Sequence, residues 1–205
     1  MAQLCTPEST YASPYPAPLH DEFAWHIVKY LHEDVTLDAG TEMSTPSGFH
    51  SVDFLAKVPS NDTADTYVVA FEIGEGRDPR HARAQLRRDA LLMATGKIDA
   101  LYRLRGSDLV YRLEDVLFMA SRWDPCLFSE QGRCNLDTLA SWEAKVVRVR
   151  SEQPSCLITY VTDRSTEDPL EHERHLWHAA NDTDPYVFIR RLSRDYRGVW
   201  QAYAE

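Results

Sequence analysis

The residues that most constrain the fold are 66–74 (TYVVAFEIG), a nearly uninterrupted apolar run. Such a run is typical of a central strand that is covered on both faces, because an exposed face would carry alternating polar residues. The Gly-Glu-Gly sequence at 74–76 ends the run, and Asp78 and Pro79 then cap and open a helix. A buried strand that leads through a short loop into a helix predicts a layered α/β protein.

A hairpin partner for this strand is predicted at residues 49–58 (FHSVDFLAKV), in which Val52, Phe54, Ala56 and Val58 share one face. The polar turn at 59–65 makes the pairing antiparallel. The other predicted elements are a helix over 22–33, a short strand at 35–37, a turn over 40–48, a helix over 79–95, a strand at 98–105 and a helix that begins at Ser107 or Asp108. Residues 21–123 thus predict an α/β (α+β) core in the order α-β-β-β-α-β-α.

Two regions flank this predicted core. Residues 1–20 are rich in proline and predict a flexible arm, because proline lacks the N–H that helices and sheets require. Residues 124–205 predict a small C-terminal α/β extension, whose role is open between homodimer formation and target recognition. Its predicted elements are strands at 143–150 and 156–161 and helices over 168–180 and 185–196.

Composition excludes several classes of protein. No apolar run reaches the roughly 18–20 residues of a membrane span, and the N-terminus lacks a basic region followed by an apolar core. We therefore expect a cytoplasmic protein with no membrane association. The four cysteines form no CxxC pair, which predicts free thiols. The net charge of −10 argues against a protein that coats nucleic acid by bulk attraction.

Two acidic residues interrupt the apolar strands: Asp53 in the first and Glu72 near the end of the second. If the strands pair as a hairpin, both carboxylates reach one end of the sheet, where a divalent cation relieves their repulsion. Hard oxygen ligands favour Mg²⁺ or Mn²⁺, and such an ion polarises a phosphodiester and activates water. The alternative is an exposed Asp53 and a Glu72 that pairs with a nearby arginine.

The element order and several short motifs resemble the PD-(D/E)xK, or restriction-endonuclease-like, superfamily. The similarity is to its compact branch near the very-short-patch repair endonucleases and related domains of unknown function. It covers roughly residues 21–120 and implies metal-dependent hydrolysis of phosphodiester bonds in DNA. The motifs are Val52-Asp53-Phe54, residues 69–74 (VAFEIG), Arg88-Asp89 and the stretch from Gly96 to Tyr102-Arg103.

The resemblance also implies roles for individual residues. Asp53 and Glu72 correspond to the metal-binding acids, and the Ile73 carbonyl to a further metal ligand. Gln85, or alternatively Asp89, corresponds to the polar residue that the following helix turns toward the site. In this interpretation Gln85 orients the attacking water.

Gly74 departs from the superfamily pattern, which has a lysine at this position. The substitute cation is open among Arg77, His81, Arg88 and Lys57. Because inactive members of the superfamily also lack the lysine, the alternative function is a catalytically degenerate module that binds nucleic acid or a protein partner without cleavage. A third interpretation is an α/β protein in which both acids are structural.

The segment after Glu72 is basic within an acidic chain. Residues 77–105 carry eight basic and three acidic side chains, a local charge of +5, whereas the first 76 residues carry two basic and twelve acidic side chains. Arginine suits phosphate recognition, so this segment is predicted to contact a DNA backbone. The alternative is a solvated helix face. The candidate DNA-binding residues are Arg77, Arg80, Arg83, Arg87 and Arg88.

Overall fold

The computed structural model describes residues 18–59, 66–74, 79–142, 144–145, 158–159 and 189–193. Within them the protein is a mixed α/β structure, as the sequence predicts. Its helices are α1 (Pro18–Ile27), α2 (Pro79–Ala94), α3 (Gly106–Tyr111), α4 (Leu113–Trp123) and α5 (Glu130–Leu139), with a 3₁₀ turn at Pro125–Leu127. Its strands are β1 (Thr36–Thr45), β2 (Gly48–Pro59), β3 (Thr66–Gly74), β4 (Ala100–Arg105), β5 (Ile158–Thr159) and β6 (Ile189–Ser193).

The strands form one mixed sheet in the order β1-β2-β3-β4-β6-β5. Strands β1, β2 and β3 pair antiparallel, as the polar turns between them require. Strand β4 runs parallel to β3, and α2 is the crossover that returns the chain to the same end of the sheet. Strand β6 pairs antiparallel with β4 on its other side.

Helices cover both faces of β3, which explains its apolar composition. On one face Phe71 packs with Phe23 of α1 and Phe118 of α4 in the larger core cluster. On the other face Ala70 packs with residues of α2 such as Met93 in a second cluster. None of the helices in the described part of the chain has the length and apolar character to cross a membrane.

The regular alternation of side chains between the two faces of the sheet is interrupted in β2 at Asp53. Val52 and Phe54 are two residues apart and were predicted to share a face, yet they pack in different core clusters. Strands β1 and β2 pair Ala39 with Phe54 and Thr41 with Val52, the ladder between these pairs is interrupted at Gly40 and Asp53, and Gly40 has a positive φ of 61°. The prediction is wrong for Val52, because the interruption at Asp53 puts Val52 in the same cluster as Leu55 and not with Phe54 and Ala56.

Other predicted elements also differ from the structure. Helix α1 ends at Ile27, short of residue 33, and β1 extends through the predicted turn to Thr45. The helix predicted from Ser107 or Asp108 is broken at Arg112, whose φ of −148° is not helical. The helix predicted over 185–196 is wrong, because Ile189–Ser193 is strand β6: pairing with the open side of β4 overrides the local helix signal.

Several segments that the sequence assigned to the C-terminal extension contact the core. Leu136 of α5 is fully buried in the larger cluster, together with Leu127 and Phe128. Cys126 and Cys134 are free and exposed. The predicted helix over 168–180, most of the predicted strand at 143–150 and all but the last three residues of the predicted arm at 1–20 lie outside the described residues.

Candidate functional site

Asp53 and Glu72 lie near each other at one end of the β2–β3 hairpin. The last paired residues of the two strands are Phe54 and Phe71, Asp53 and Glu72 are the next residues beyond this pair, and, beyond the effect of burial, the charge of Asp53 raises the pKa of Glu72. The Asp53 Oδ2 atom accepts a hydrogen bond of 2.7 Å from the Ile73 backbone N–H and lies 3.5 Å from Nε2 of His20. Strand pairing therefore brings together the two acids that the sequence singled out and fixes the Ile73 peptide beside them.

Glu72 is a buried carboxylate, 1% exposed, at the centre of this site. Its Oε2 atom lies 3.3 Å from Arg88 Nη2 and 3.4 Å from Arg103 Nη1. Burial is the largest influence on the Glu72 pKa and raises it, and the negative charges of Asp53 and Asp89 raise it further. The positive charges of Arg103 and Arg88 lower the pKa, and the result is a value of about 7. At neutral pH this carboxylate therefore exchanges between its protonated and ionised forms.

Arg103 links Glu72 to helix α2. It is the direct neighbour of Glu72 in the parallel β3–β4 pair, and it is only 7% exposed. Its Nε donates to Asp89 Oδ2 at 3.3 Å, and its Nη2 donates to Asp89 Oδ1, so that the fork grips a fully buried carboxylate. Burial lowers the Arg103 pKa, but Asp89 and Glu72 outweigh this and raise it above its ordinary value.

Gly74, where the resembled superfamily has a lysine, faces Gln85 and Arg103. A Cβ atom at Gly74 would lie 3.2 Å from Gln85 Nε2 and 3.4 Å from Arg103 Nη1. A longer side chain at this position would need the space that these two groups occupy. Gln85 thus lies beside the site, and the cations next to Glu72 are Arg103 of the neighbouring strand and Arg88 of α2.

The candidate cations have different positions. Arg88 turns toward the sheet, where its Nη2 donates to the Ser51 carbonyl and contacts Glu72, whereas Arg87 is exposed. Lys57 forms an ion pair of 2.5 Å with Asp38, so it does not serve Glu72. Arg77 and the side chains of Arg80, His81 and Arg83 lie outside the described residues.

Sequence reasoning missed Arg103 as a member of this site. A signal was present, because Arg103 interrupts the apolar strand around Tyr102 and Leu104 just as Glu72 interrupts its own strand. A charged residue inside a buried strand needs a partner of opposite charge. The register of β3 and β4 supplies that partner.

A divalent cation needs oxygen or nitrogen donors that converge on one point. Within the described ranges no group of three or more His, Cys, Asp or Glu side chains is arranged to hold a metal ion. Mg²⁺, however, commonly binds one or two protein carboxylates and keeps several waters. The Glu72 contacts to arginine, at 3.3–3.4 Å, are longer than the usual 2.7–2.9 Å of charge-assisted hydrogen bonds. Of the two acids, Glu72 is therefore the one whose pairing a hydrated Mg²⁺ or Mn²⁺ would improve, whereas Asp53 Oδ2 already accepts the 2.7 Å hydrogen bond from the Ile73 N–H.

A second buried acid lies on the opposite face of the sheet. Asp124, 2% exposed, accepts hydrogen bonds from Tyr67 Oη (2.7 Å), Tyr102 Oη (2.5 Å), Arg191 Nε (2.9 Å) and Arg191 Nη2 (2.8 Å). The Arg191 guanidinium also lies over the Trp123 ring, 5.7 Å from its centroid. This cluster joins β6 to β3, β4 and the end of α4.

No protein-family model matches the chain, and no curated protein or solved structure matches it either.

Proposed function

We propose that the protein is a divalent-metal-dependent nuclease of the restriction-endonuclease-like class that hydrolyses phosphodiester bonds in DNA. The observation that carries this proposal is that Asp53 and Glu72, on adjacent antiparallel strands, lie close enough that, beyond the effect of burial, the charge of Asp53 raises the pKa of Glu72, at the end of the sheet that Gln85 of α2 also approaches. Two neighbouring carboxylates with a flanking polar side chain supply the donor groups that metal-assisted hydrolysis needs.

The topology supports the same class. The order α1-β1-β2-β3-α2-β4, with an antiparallel meander followed by a parallel crossover, agrees with the core that the sequence resemblance implies. Because fold alone does not establish activity, the acids at the end of β2 and β3 remain the main argument.

In this proposal Asp53, Glu72 and the Ile73 carbonyl hold Mg²⁺ or Mn²⁺, which when bound polarises the scissile phosphate and activates water. Gln85 orients the water through its amide group. The DNA backbone is gripped by arginines of α2 and the loop before it, of which Arg87 is exposed. The full proposed set is Arg77, Arg80, Arg83, Arg87 and Arg88. A cytoplasmic location and a homodimer belong to the same proposal.

The proposal is tested by cleavage of supercoiled plasmid and labelled duplex DNA with Mg²⁺, with Mn²⁺ and with a chelator. Asp53→Asn and Glu72→Gln keep the shape of each side chain and remove its charge. We expect each to lower kcat by about 100-fold or more, since a lost metal ligand removes several kcal/mol of transition-state stabilisation.

Asp38→Asn is the matched control, because Asp38 is also a strand carboxylate paired with a cation, but on β1 and away from Glu72. Its cleavage rate should stay within about twofold of the wild type. Cleavage that survives in both site variants, or a wild type that cuts neither substrate with either metal, would refute the nuclease proposal.

The second candidate function is DNA binding without cleavage. The observation that favours it is that Arg88 and Arg103 already contact the Glu72 carboxylate, in the place that a metal ion would need. This candidate predicts that labelled duplex binds with a strong salt dependence, that added Mg²⁺ leaves the affinity unchanged, and that Arg87→Ala weakens binding. Fluorescence anisotropy at two salt concentrations measures these effects.

A further inference from the structure

Arg103 is a buried cation divided between two acids. The fork made by Nε and Nη2 is fixed on Asp89, whereas Nη1 is directed at Glu72 Oε2 at 3.4 Å. Asp89 belongs to α2 and Glu72 to β3, so a single side chain of β4 connects the helix to the strand that carries the acid.

We propose that Arg103, held by Asp89, is a positioning residue that fixes the carboxylate of Glu72 for its work in the site. This inference rests on the proposed function, because it concerns how Glu72 meets a metal ion and its substrate. Arg103 contacts Glu72 and not the reacting atoms, so its effect passes through that carboxylate.

The geometry explains why arginine serves here. Its planar fork makes several contacts in fixed directions, whereas lysine is a point charge on a flexible stem. With two donors used by Asp89, the direction of the third is set, and Glu72 cannot rotate away without losing that contact. Gly74 completes the arrangement, because a side chain there would press on Gln85 and on Arg103 Nη1.

The competing explanation is that Asp89–Arg103 is a purely structural ion pair. The chain offers a matched comparison in Asp124–Arg191, another buried acid gripped by an arginine fork, on the opposite face of the sheet. Breaking either pair should lower stability, because it leaves a buried charge without its partner. Only the first pair should affect the site.

The experiment compares Arg103→Lys, Asp89→Asn and the control Asp124→Asn in the full chain. Four quantities are measured: kcat and KM on a labelled DNA duplex, the Mn²⁺ dissociation constant by electron paramagnetic resonance, and the thermal midpoint. We expect Arg103→Lys and Asp89→Asn each to lower kcat by about tenfold and to raise the Mn²⁺ dissociation constant by about tenfold, the lower end of the scale typical of groups that orient metal ligands.

The change in KM should be smaller than the change in kcat, because DNA still binds. Asp124→Asn should lower the thermal midpoint by a similar amount and leave kcat and Mn²⁺ binding within about twofold. The double variant Arg103→Gln with Asp89→Asn removes both buried charges and should fold even if a single variant does not. It should still show the loss in kcat.

Two outcomes overturn the inference. In one, the site variants keep wild-type kcat and Mn²⁺ binding. In the other, all variants, including Asp124→Asn, lose activity only in proportion to their loss of folded protein. A wild type that neither cleaves DNA nor binds Mn²⁺ is a different result: it overturns the proposed function, and this inference falls with it.

Discussion

The two faces of the sheet each hold a buried acid that contacts an arginine, but the two acids are paired to different degrees. Asp124 accepts four hydrogen bonds of 2.5–2.9 Å from two tyrosines and Arg191. Glu72 is as deeply buried, yet its arginine contacts measure 3.3–3.4 Å. Asp124 has the short hydrogen bonds of a structural cluster, and Glu72 does not.

This difference in pairing distinguishes Asp124, a structural acid, from Glu72. A buried carboxylate is tolerated when strong hydrogen bonds replace its hydration, and Asp124 meets that condition. Glu72 meets it incompletely, which is why burial dominates its pKa and raises it to about 7. A carboxylate that is costly to keep ionised gains more from a new partner, such as a proton or a metal ion. The comparison therefore favours Glu72 as the working residue and Asp124 as the structural one.

The largest expected effect on stability comes from removing the Asp124 carboxylate. Asp124→Ala leaves Arg191 and two tyrosine hydroxyls without their acceptor, so we expect a loss of about 3–5 kcal/mol in the free energy of unfolding. Urea unfolding followed by circular dichroism measures it. A loss below about 1 kcal/mol would show that Asp124 is not the better-paired acid.

The next effect is a pH dependence that belongs to Glu72. Its pKa is about 7 in the folded protein and 4.5 ordinarily, so between these values the folded state holds a proton that the unfolded state has lost. Stability must then fall as pH rises through this window and level off above it. The Glu72 contribution between pH 5 and pH 8 amounts to about 2–3 kcal/mol.

Urea unfolding of the wild type and of Glu72→Gln at pH 5, 6, 7 and 8, in the presence of a chelator, tests this expectation. The variant cannot ionise at this position, so its stability should fall less with rising pH. The neighbouring charges of Asp53, Asp89, Arg88 and Arg103 are present in both proteins and cancel in the difference. Parallel pH profiles would contradict the assignment.

The smallest expected effect is at Gly74. A Cβ atom there would approach Gln85 Nε2 to 3.2 Å, and this amide is the end of a flexible side chain that can shift. We expect Gly74→Ala to cost about 1 kcal/mol or less in stability. We expect the cleavage rate to fall even though the free energy of unfolding changes little, because the added Cβ atom displaces Gln85 and Arg103. A cleavage rate equal to that of the wild type would contradict a role for Gln85 in cleavage.

Local patterns predicted the parts of the fold that form from neighbouring residues. The apolar run and its polar turn predicted β3 at 66–74, and the Asp78-Pro79 signal predicted α2 to within one residue at its end. Strand β1 was underestimated because it is an edge strand rich in polar residues. Strand β6 was missed because its partner β4 is distant in the chain.

In the candidate site too, the features that depend on neighbouring strands of one hairpin were predictable, and those that depend on tertiary packing were not. Asp53 and Glu72 were conspicuous as charges in apolar strands, and hairpin pairing was enough to bring them together. Which arginine turns inward depends on the register of β4 against β3 and on the position of α2. Those are tertiary features, and for this reason Arg103 was not assigned to the site and Arg88 was only one of four candidates for the cation beside Glu72.

The position of β6 has a consequence for synthesis of the chain in the cell. Strand β4 ends at Arg105, and the strand that closes its outer side begins only at Ile189. Until the ribosome has added that segment, β4 presents unpaired N–H and C=O groups, which are a template for aggregation with other chains. A shortened chain that stops before Ile189 keeps this edge open permanently, although it contains every residue of the Glu72 site.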